Sequence, residues 1–300
     1  MIKSNSYSRK RIETVEGYLF VSPVVLGILI FMLWPIIQSF YYSFTRYSVI
    51  KSPEWIGIEN YSQLMQNSLF WHSLKITFIY TFLSVPFGLI AGFFLALLLK
   101  RTVLGIQWFR AIFYLPVVVP VVALGVLWKQ IYSPDAGLAN QLLGWLGLSP
   151  YPWFSNPDTV MTSLIVMSLW QAGGAMIIWI AGLEGVPAHL YEAAIVDGAS
   201  PIRRFWHITI PMVTPVIFFN LVMGVISALQ VFGQVAVTTG GGPLNASNFL
   251  MVMIYSEAFG RLNMGYASAI SWILFLLISI CTAIIFRSSR SWVHYEGGAR

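Results

Sequence analysis

The chain is poor in charge: Asp, Glu, Lys and Arg make up 9% of its 300 residues, against about 25% in soluble domains. It has one cysteine, Cys281, so no disulfide forms within the chain; the thiol lies in an apolar run, where a packed or lipid-facing role is ordinary. Four histidines, His72, His189, His207 and His294, show no HExxH spacing and no acidic or cysteine neighbours at ligand spacing, which argues against a metal site. No GxxxxGK[ST] run occurs, so the chain has no P-loop for nucleotide phosphates. No apolar run carries an evident acid or base; Glu184, Glu192 and Asp197 fall in a polar segment between runs, and Glu257 beside one. Ion-coupled carriers usually need such buried groups, which argues against a secondary transporter, although Na⁺ sites built from carbonyls escape the argument. Paired carboxylates or an activated nucleophile for an enzyme are also missing at usable spacing. The net charge of +6 is not gathered into a run that would track nucleic-acid phosphates.

What is present is apolar. Hydrophobic residues make up 57% and mean hydropathy is +0.74, which defines an integral membrane protein. Six runs, near 18–42, 73–99, 110–132, 160–183, 213–236 and 265–286, reach the length of about 20 residues that a helix needs to cross hydrocarbon. Stretches such as PFGLIAGFFLALLL (86–99) lack the alternation of a barrel strand. The expected fold is all-α and polytopic, with a transmembrane domain over 18–286 between segments 1–17 and 287–300. The first run follows Arg9, Lys10 and Arg11 but is too long for a signal peptide and lacks a cleavage pattern, so it reads as a retained span.

Twelve of the seventeen basic residues (Lys3, Arg9, Lys10, Arg11, Lys100, Arg101, Arg110, Arg203, Arg204, Arg287, Arg290 and Arg300) fall in the segments that share a side with the termini. The acidic residues divide almost evenly, so the positive-inside rule places both termini in the cytoplasm. Pro23, Pro35, Pro86, Gly88, Pro116, Pro120, Gly173 and Gly174 interrupt the runs; freed carbonyls at such breaks need neighbouring helices or a wet cavity, which favours a conduit over tolerated kinks in a packed bundle. On the outer side, 46–72 reads as an interfacial segment with Trp55, Tyr61, Phe70 and Trp71 at belt positions. Turn residues mark 133–159, and Thr239 to Pro243 reads as a tight turn.

The polar stretch Pro187–Pro215 between the fourth and fifth runs has its own pattern. Pro187 suits a first helical turn, 188–197 hold helix formers, Gly198 suits a left-handed stop, and Ser200-Pro201 suits a new start. A helix, a tight turn and a second short helix follow, with Glu192, Asp197, Arg203, Arg204 and His207 giving a polar surface for water or a cytoplasmic partner. The spacing Glu192-Ala193-Ala194, three residues, Gly198, nine residues, Ile208-Thr209-Ile210-Pro211, with Asp197, Ala199 and Phe205, resembles the signature loop of membrane subunits of binding-protein-dependent ABC importers; Ile210 replaces the usual leucine. Trp55 to Tyr61 (WIGIENY), Phe70-Trp71, Gly137 to Asn140 (GLAN) and Thr239 to Pro243 are similar to the carbohydrate-uptake branch, in particular to the larger membrane subunit of maltose importers.

The resemblance implies a permease subunit in a bacterial cell membrane that forms a sugar path with a homologous second permease. It also implies two ATPase subunits that bind ATP and Mg²⁺, an extracytoplasmic solute-binding protein, and no cofactor or catalysis in this chain. It assigns ATPase coupling to the loop 187–212, through Glu192, Ala193, Ala194, Asp197, Gly198, Ala199, Phe205, Ile208 and Pro211. For the carbohydrate path the candidates are Trp170, Gln171, Ser227, Gln230, Phe232 and Gln234, neutral or aromatic groups suited to sugar. Gln234 is expected one turn beyond Gln230 on the same face. The same groups also suit helix-to-helix bonding and packing. The loop signature is shared with importers of amino acids or phosphate, and which sugar is carried is not legible.

Overall fold

The computed structural model describes residues 5–100 and 103–294, with only the backbone of 5–10 and 12. Lys3, Arg101 and Arg300, counted above for orientation, lie outside the described residues. The chain divides into two compact units, one of 257–272 with the chain up to Leu64, the other of 65–256 with the chain from Ile273 onward.

In the first unit a helix, Glu13–Ser43 (α1), contains a membrane-spanning stretch whose most apolar eighteen-residue window has no buried residue. It widens to a π-turn over Leu29–Leu33 just before Pro35. Proline has no N–H for the regular i→i−4 ladder, and a wider turn absorbs the mismatch. Two short strands follow, Thr45–Ser48 (β1) and Lys51–Trp55 (β2), antiparallel with Thr45 opposite Trp55 and Arg46 opposite Glu54. Helix Glu59–Gln66 (α2) starts inside the WIGIENY sequence, and its buried Asn60 donates to the carbonyls of Ser43 and Thr45 at 2.9 Å each. Phe44 stacks on Trp55 with ring centres 5.6 Å apart and leans on Tyr61 at 5.5 Å. A segment expected to lie along the interface is thus a hairpin and helix sewn together by one asparagine.

In the second unit Ser68–Leu99 (α3) is the element on which the others pack. Asn67 caps it by accepting from Leu69 N–H. Pro86 and Gly88 do not interrupt it. Phe70, expected at the interface, is fully buried at its start. The run expected as one span over 110–132 is two helices, Ile106–Val118 (α4) and Val121–Ile131 (α5), bent by 100°. Pro120 explains the break: it forces Val119 out of helical conformation, to φ −69° and ψ 129°, and serves as the cap of α5. Helix Leu138–Trp145 (α6) is held by Asn140 of the GLAN sequence, which donates to the carbonyls of Pro134 and Tyr151 and accepts from Tyr151 N–H and Trp153 Nε1.

Pro157–Glu184 (α7) tightens to a 3₁₀ turn at Trp170–Ala172 and resumes at Gly173. A Cβ on Gly173 would collide with the Phe113 carbonyl, so the close approach of α7 to α4 requires glycine there. Helices Ala188–Val196 (α8) and Pro201–Arg204 (α9) follow. Thr214–Leu229 (α10) and Gly233–Thr238 (α11) form one span interrupted at 230–232. Leu250–Gly260 (α12) is a shorter apolar helix, and Met264–Trp292 (α13) a last span. Helices α7 and α10 both pack along α3, and α11 lies on α5. One core gathers Tyr80, Leu124, Leu164, Met167 and Phe249; another gathers Ala96, Met176, Trp179, Leu183 and Val213.

Candidate functional site

The 187–212 loop is closed by a specific set of backbone bonds. Pro187 caps α8 rather than starting it. At the other end Gly198 takes φ +73°, its N–H reaches Ile195 O at 3.0 Å, and Ala199 N–H reaches Ala194 O at 2.8 Å. This pair of bonds is the Schellman arrangement, which needs a left-handed residue at Gly198 and satisfies the last carbonyls of α8. Ser200 Oγ then accepts from Arg203 N–H and caps α9, with Pro201 in its first turn. The helix continues as a π-turn over Phe205–Thr209 before Pro211, as α1 does before Pro35.

Among the described residues one side-chain bond crosses the loop: Tyr191 OH lies 2.8 Å from Thr209 Oγ1. Phe205 faces Phe93 of α3 at 6.1 Å, and Ile208 packs on the Trp179 core, so the second helix rests on the spans. Pro211 O accepts from Thr214 Oγ1, which in turn accepts from His294 N–H. At the base of the loop Lys100 Nζ donates to Leu183 O at 2.7 Å, and the Arg110 guanidinium donates twice to Leu99 O and lies 3.7 Å from Glu184. Both cations sit at helix C-terminal carbonyls, where the helix dipole favours them.

The exposed face of the loop is less polar than its composition suggested. Glu192, Ala193, Asp197 and Gly198 are exposed, Ala194 and Ala199 half-buried, but Val196 is 88%, Ile202 73% and Trp206 60% exposed. Arg204 is half-buried, with its Nε shielded from solvent. The signal was in the sequence: large apolar residues inside a segment too short and too interrupted to cross a membrane.

The second candidate is a cavity of about 590 Å³ lined mainly by α3, α7 and α10. Of the residues expected on the path, Gln171, Ser227, Phe232 and Gln234 line it. Gln230 and Trp170 are not among its lining residues. Gln230 ends α10 and is exposed, whereas Gln234 follows the break at Phe232 and is buried. The two amides therefore do not share a helix face, since the interruption at 230–232 resets the helical phase. Trp170 meets Trp128 edge-on at 5.4 Å.

Tyr80, Ser84, Ser168 and Asn220 also line the cavity. In the sequence none of the four gives a signal beyond being polar within an apolar run. Gln234 Nε2 donates to Tyr80 OH at 3.1 Å, and Asn220 Nδ2 donates to Val216 O at 2.9 Å. Further along α3, Ser73 Oγ accepts from Asn248 Nδ2 and Thr77 Oγ1 accepts from Leu250 N–H. A row of hydroxyls on one helix thus joins the loop after α11 to the cavity.

Long apolar helices, one broken span and a cavity among the spans define a polytopic membrane protein. The profile of the family described as "Binding-protein-dependent transport system inner membrane component" matches residues 84–294, and the chain belongs to that family as a permease subunit. It is 38% identical to "Probable ABC transporter permease protein YesP" of Bacillus subtilis, over 99% of this chain and 96% of that protein. It is 33% identical to the trehalose/maltose transport system permease MalF of Thermococcus litoralis, over 93% and 95%. Against the sn-glycerol-3-phosphate transport system permease UgpA of Pectobacterium atrosepticum, identity is 34% over 93% and 95%. In fold it is similar to a chain of a bacterial ABC transporter that imports the acidic polysaccharide alginate, with a TM-score of 0.83, 24% identity, and coverage of 95% of this chain and 98% of that one.

Proposed function

We propose that this chain is one membrane half of an ATP-driven carbohydrate importer and works with a homologous second permease, two ATPase subunits that bind ATP and Mg²⁺, and an extracytoplasmic solute-binding protein. Both termini and the 187–212 loop face the cytoplasm. The loop is the coupling element: Glu192 and Asp197 give polar contacts to an ATPase subunit, and Ala193, Ala194, Gly198 and Ala199 let its surface approach closely. Phe205, Ile208 and Pro211 pass the displacement to the spans. Gln171, Ser227, Phe232 and Gln234 belong to the solute path.

The observation that carries this reading is the closed geometry of the loop. A flexible connector absorbs a displacement, whereas a helix pair fixed by the Gly198 turn and the Tyr191–Thr209 bond transmits it. Apolar residues standing out of a rigid polar segment also fit a protein partner better than water. The sugar assignment is supported by the relative named for trehalose and maltose and by the uncharged lining of the cavity, apolar with hydroxyl and amide groups set in it. The test is to co-express the chain with its partner subunits, reconstitute the complex in proteoliposomes, and measure uptake of labelled sugars with and without ATP. Sugar uptake that needs an ion gradient and ignores ATP overturns the reading.

A further inference from the structure

We propose that the cavity lined by α3, α7 and α10 selects uncharged polyhydroxylated solutes and turns away their phosphorylated and uronate forms. This deepens the importer reading and rests on it. The relatives do not decide the point, because proteins of similar identity are named for trehalose and maltose and for glycerol phosphate. The wall of this chain's cavity bears on it directly.

Among the described residues that line the cavity there is no Lys, Arg, His, Asp or Glu. Its polar groups are hydroxyls and side-chain amides. The Asn220 amide donates one N–H of Nδ2 to the Val216 carbonyl, which can only accept, so its orientation is fixed, and Oδ1 remains to receive a donor beside the second N–H. The Gln234 amide donates one N–H of Nε2 to Tyr80 OH, and in this orientation its Oε1 is left to receive a donor. Ser227 lines the cavity and makes no hydrogen bond among the described residues. A sugar hydroxyl donates as well as accepts and can satisfy such oxygens. A phosphate or carboxylate oxygen only accepts: wall hydroxyls and the second N–H of each amide can donate to it, but it cannot satisfy the amide oxygens, and no cation offsets its loss of water. The half-buried ring of Phe232 adds an apolar face beside these groups, and 590 Å³ falls in the range of small-molecule sites.

The test measures equilibrium binding to the purified complex of permeases and ATPases without the binding protein, which removes that protein's own selectivity. The probes are labelled neutral mono-, di- and trisaccharides, each beside its 6-phosphate and its uronate. The neutral member is expected to bind at least about tenfold more tightly than its charged partners, a factor equal to about 1.4 kcal/mol. Ser227→Lys, which adds one cation and removes no internal bond, is expected to narrow that ratio at least about threefold. Equal or tighter binding of the charged members overturns the inference, as does an unchanged ratio in an assembled Ser227→Lys complex. Should that variant fail to assemble, the unmodified ratio alone decides. Binding of no member of any pair also overturns it; ATP-driven uptake of some other solute by the same complex would then leave the importer reading standing, whereas absence of any ATP-driven uptake removes both.

Discussion

Tyr191 and Thr209 join the two helices of the 187–212 loop through hydroxyl oxygens 2.8 Å apart, eighteen residues distant in sequence. The contact bypasses the Gly198 turn and makes the loop a closed frame. Removing it with Tyr191→Phe is expected to cost about 1 kcal/mol, the usual net value of one hydrogen bond. Sugar uptake per ATP hydrolysed should fall while ATPase activity persists. A double-mutant cycle with Thr209→Val checks this: the double variant should be no worse than either single one.

Gly198 is the other fixed point. A side chain there costs about 1–2 kcal/mol in the left-handed region; a β-branched one is worse, and Asn tolerates it better. Space is not the obstacle, because nothing lies within 4 Å of a Cβ built at Gly198. The predicted order of uptake is Gly198→Asn above Gly198→Ala above Gly198→Val, with all three present in the membrane. Loss governed by side-chain size instead of tolerance for positive φ would place Ala above Asn and refute the conformational account.

Gly173 should fail for the opposite reason. Its φ is ordinary, but a Cβ would run into the backbone carbonyl of Phe113, and backbone cannot rotate aside as a side chain can. Gly173→Ala is expected to destabilise the protein by about 1–3 kcal/mol, the usual range for overpacking. Thermal unfolding in detergent measures it, and a melting temperature equal to the parent's contradicts the close approach of α7 and α4.

The two glutamines near the end of the fifth span separate by position. Gln234→Leu breaks the bond to Tyr80 and removes a polar group from the cavity, so solute affinity is expected to fall about fivefold or more, the equivalent of one neutral hydrogen bond. Gln230→Ala alters an exposed residue that does not line the cavity, and affinity should change by less than about twofold. Titration of labelled sugar onto the two variants compares them directly; a larger loss in Gln230→Ala reverses the assignment.

Much of the frame was legible because it depends on residues and their immediate neighbours. Hydropathy alone puts an apolar run on each of the five long apolar helices, whose ends lie up to six residues from those of the runs, and a sixth run on the bent pair. The helix pair around Gly198 followed from glycine's tolerance of positive φ and from Ser200-Pro201 as a helix start. Pro120 was visible as an interruption, but not that it turns the chain by 100° while Pro86 leaves α3 intact.

What the sequence by itself determined is therefore where the chain is apolar, where its helices stop, and which loop carries the importer signature. Only the tertiary structure decided which polar side chains meet. Asn60 and Asn140, near the starts of two short helices, are ordinary asparagines in the sequence until carbonyls elsewhere in the chain come within 3.2 Å of them. Gln234 reaches the cavity, and Gln230 does not line it, because the helix is interrupted between them. The physical reason is the same in each case: local sequence sets a residue's preferred conformation and hydration, but a cavity wall or a cross-loop bond needs partners whose positions are set by packing far along the chain.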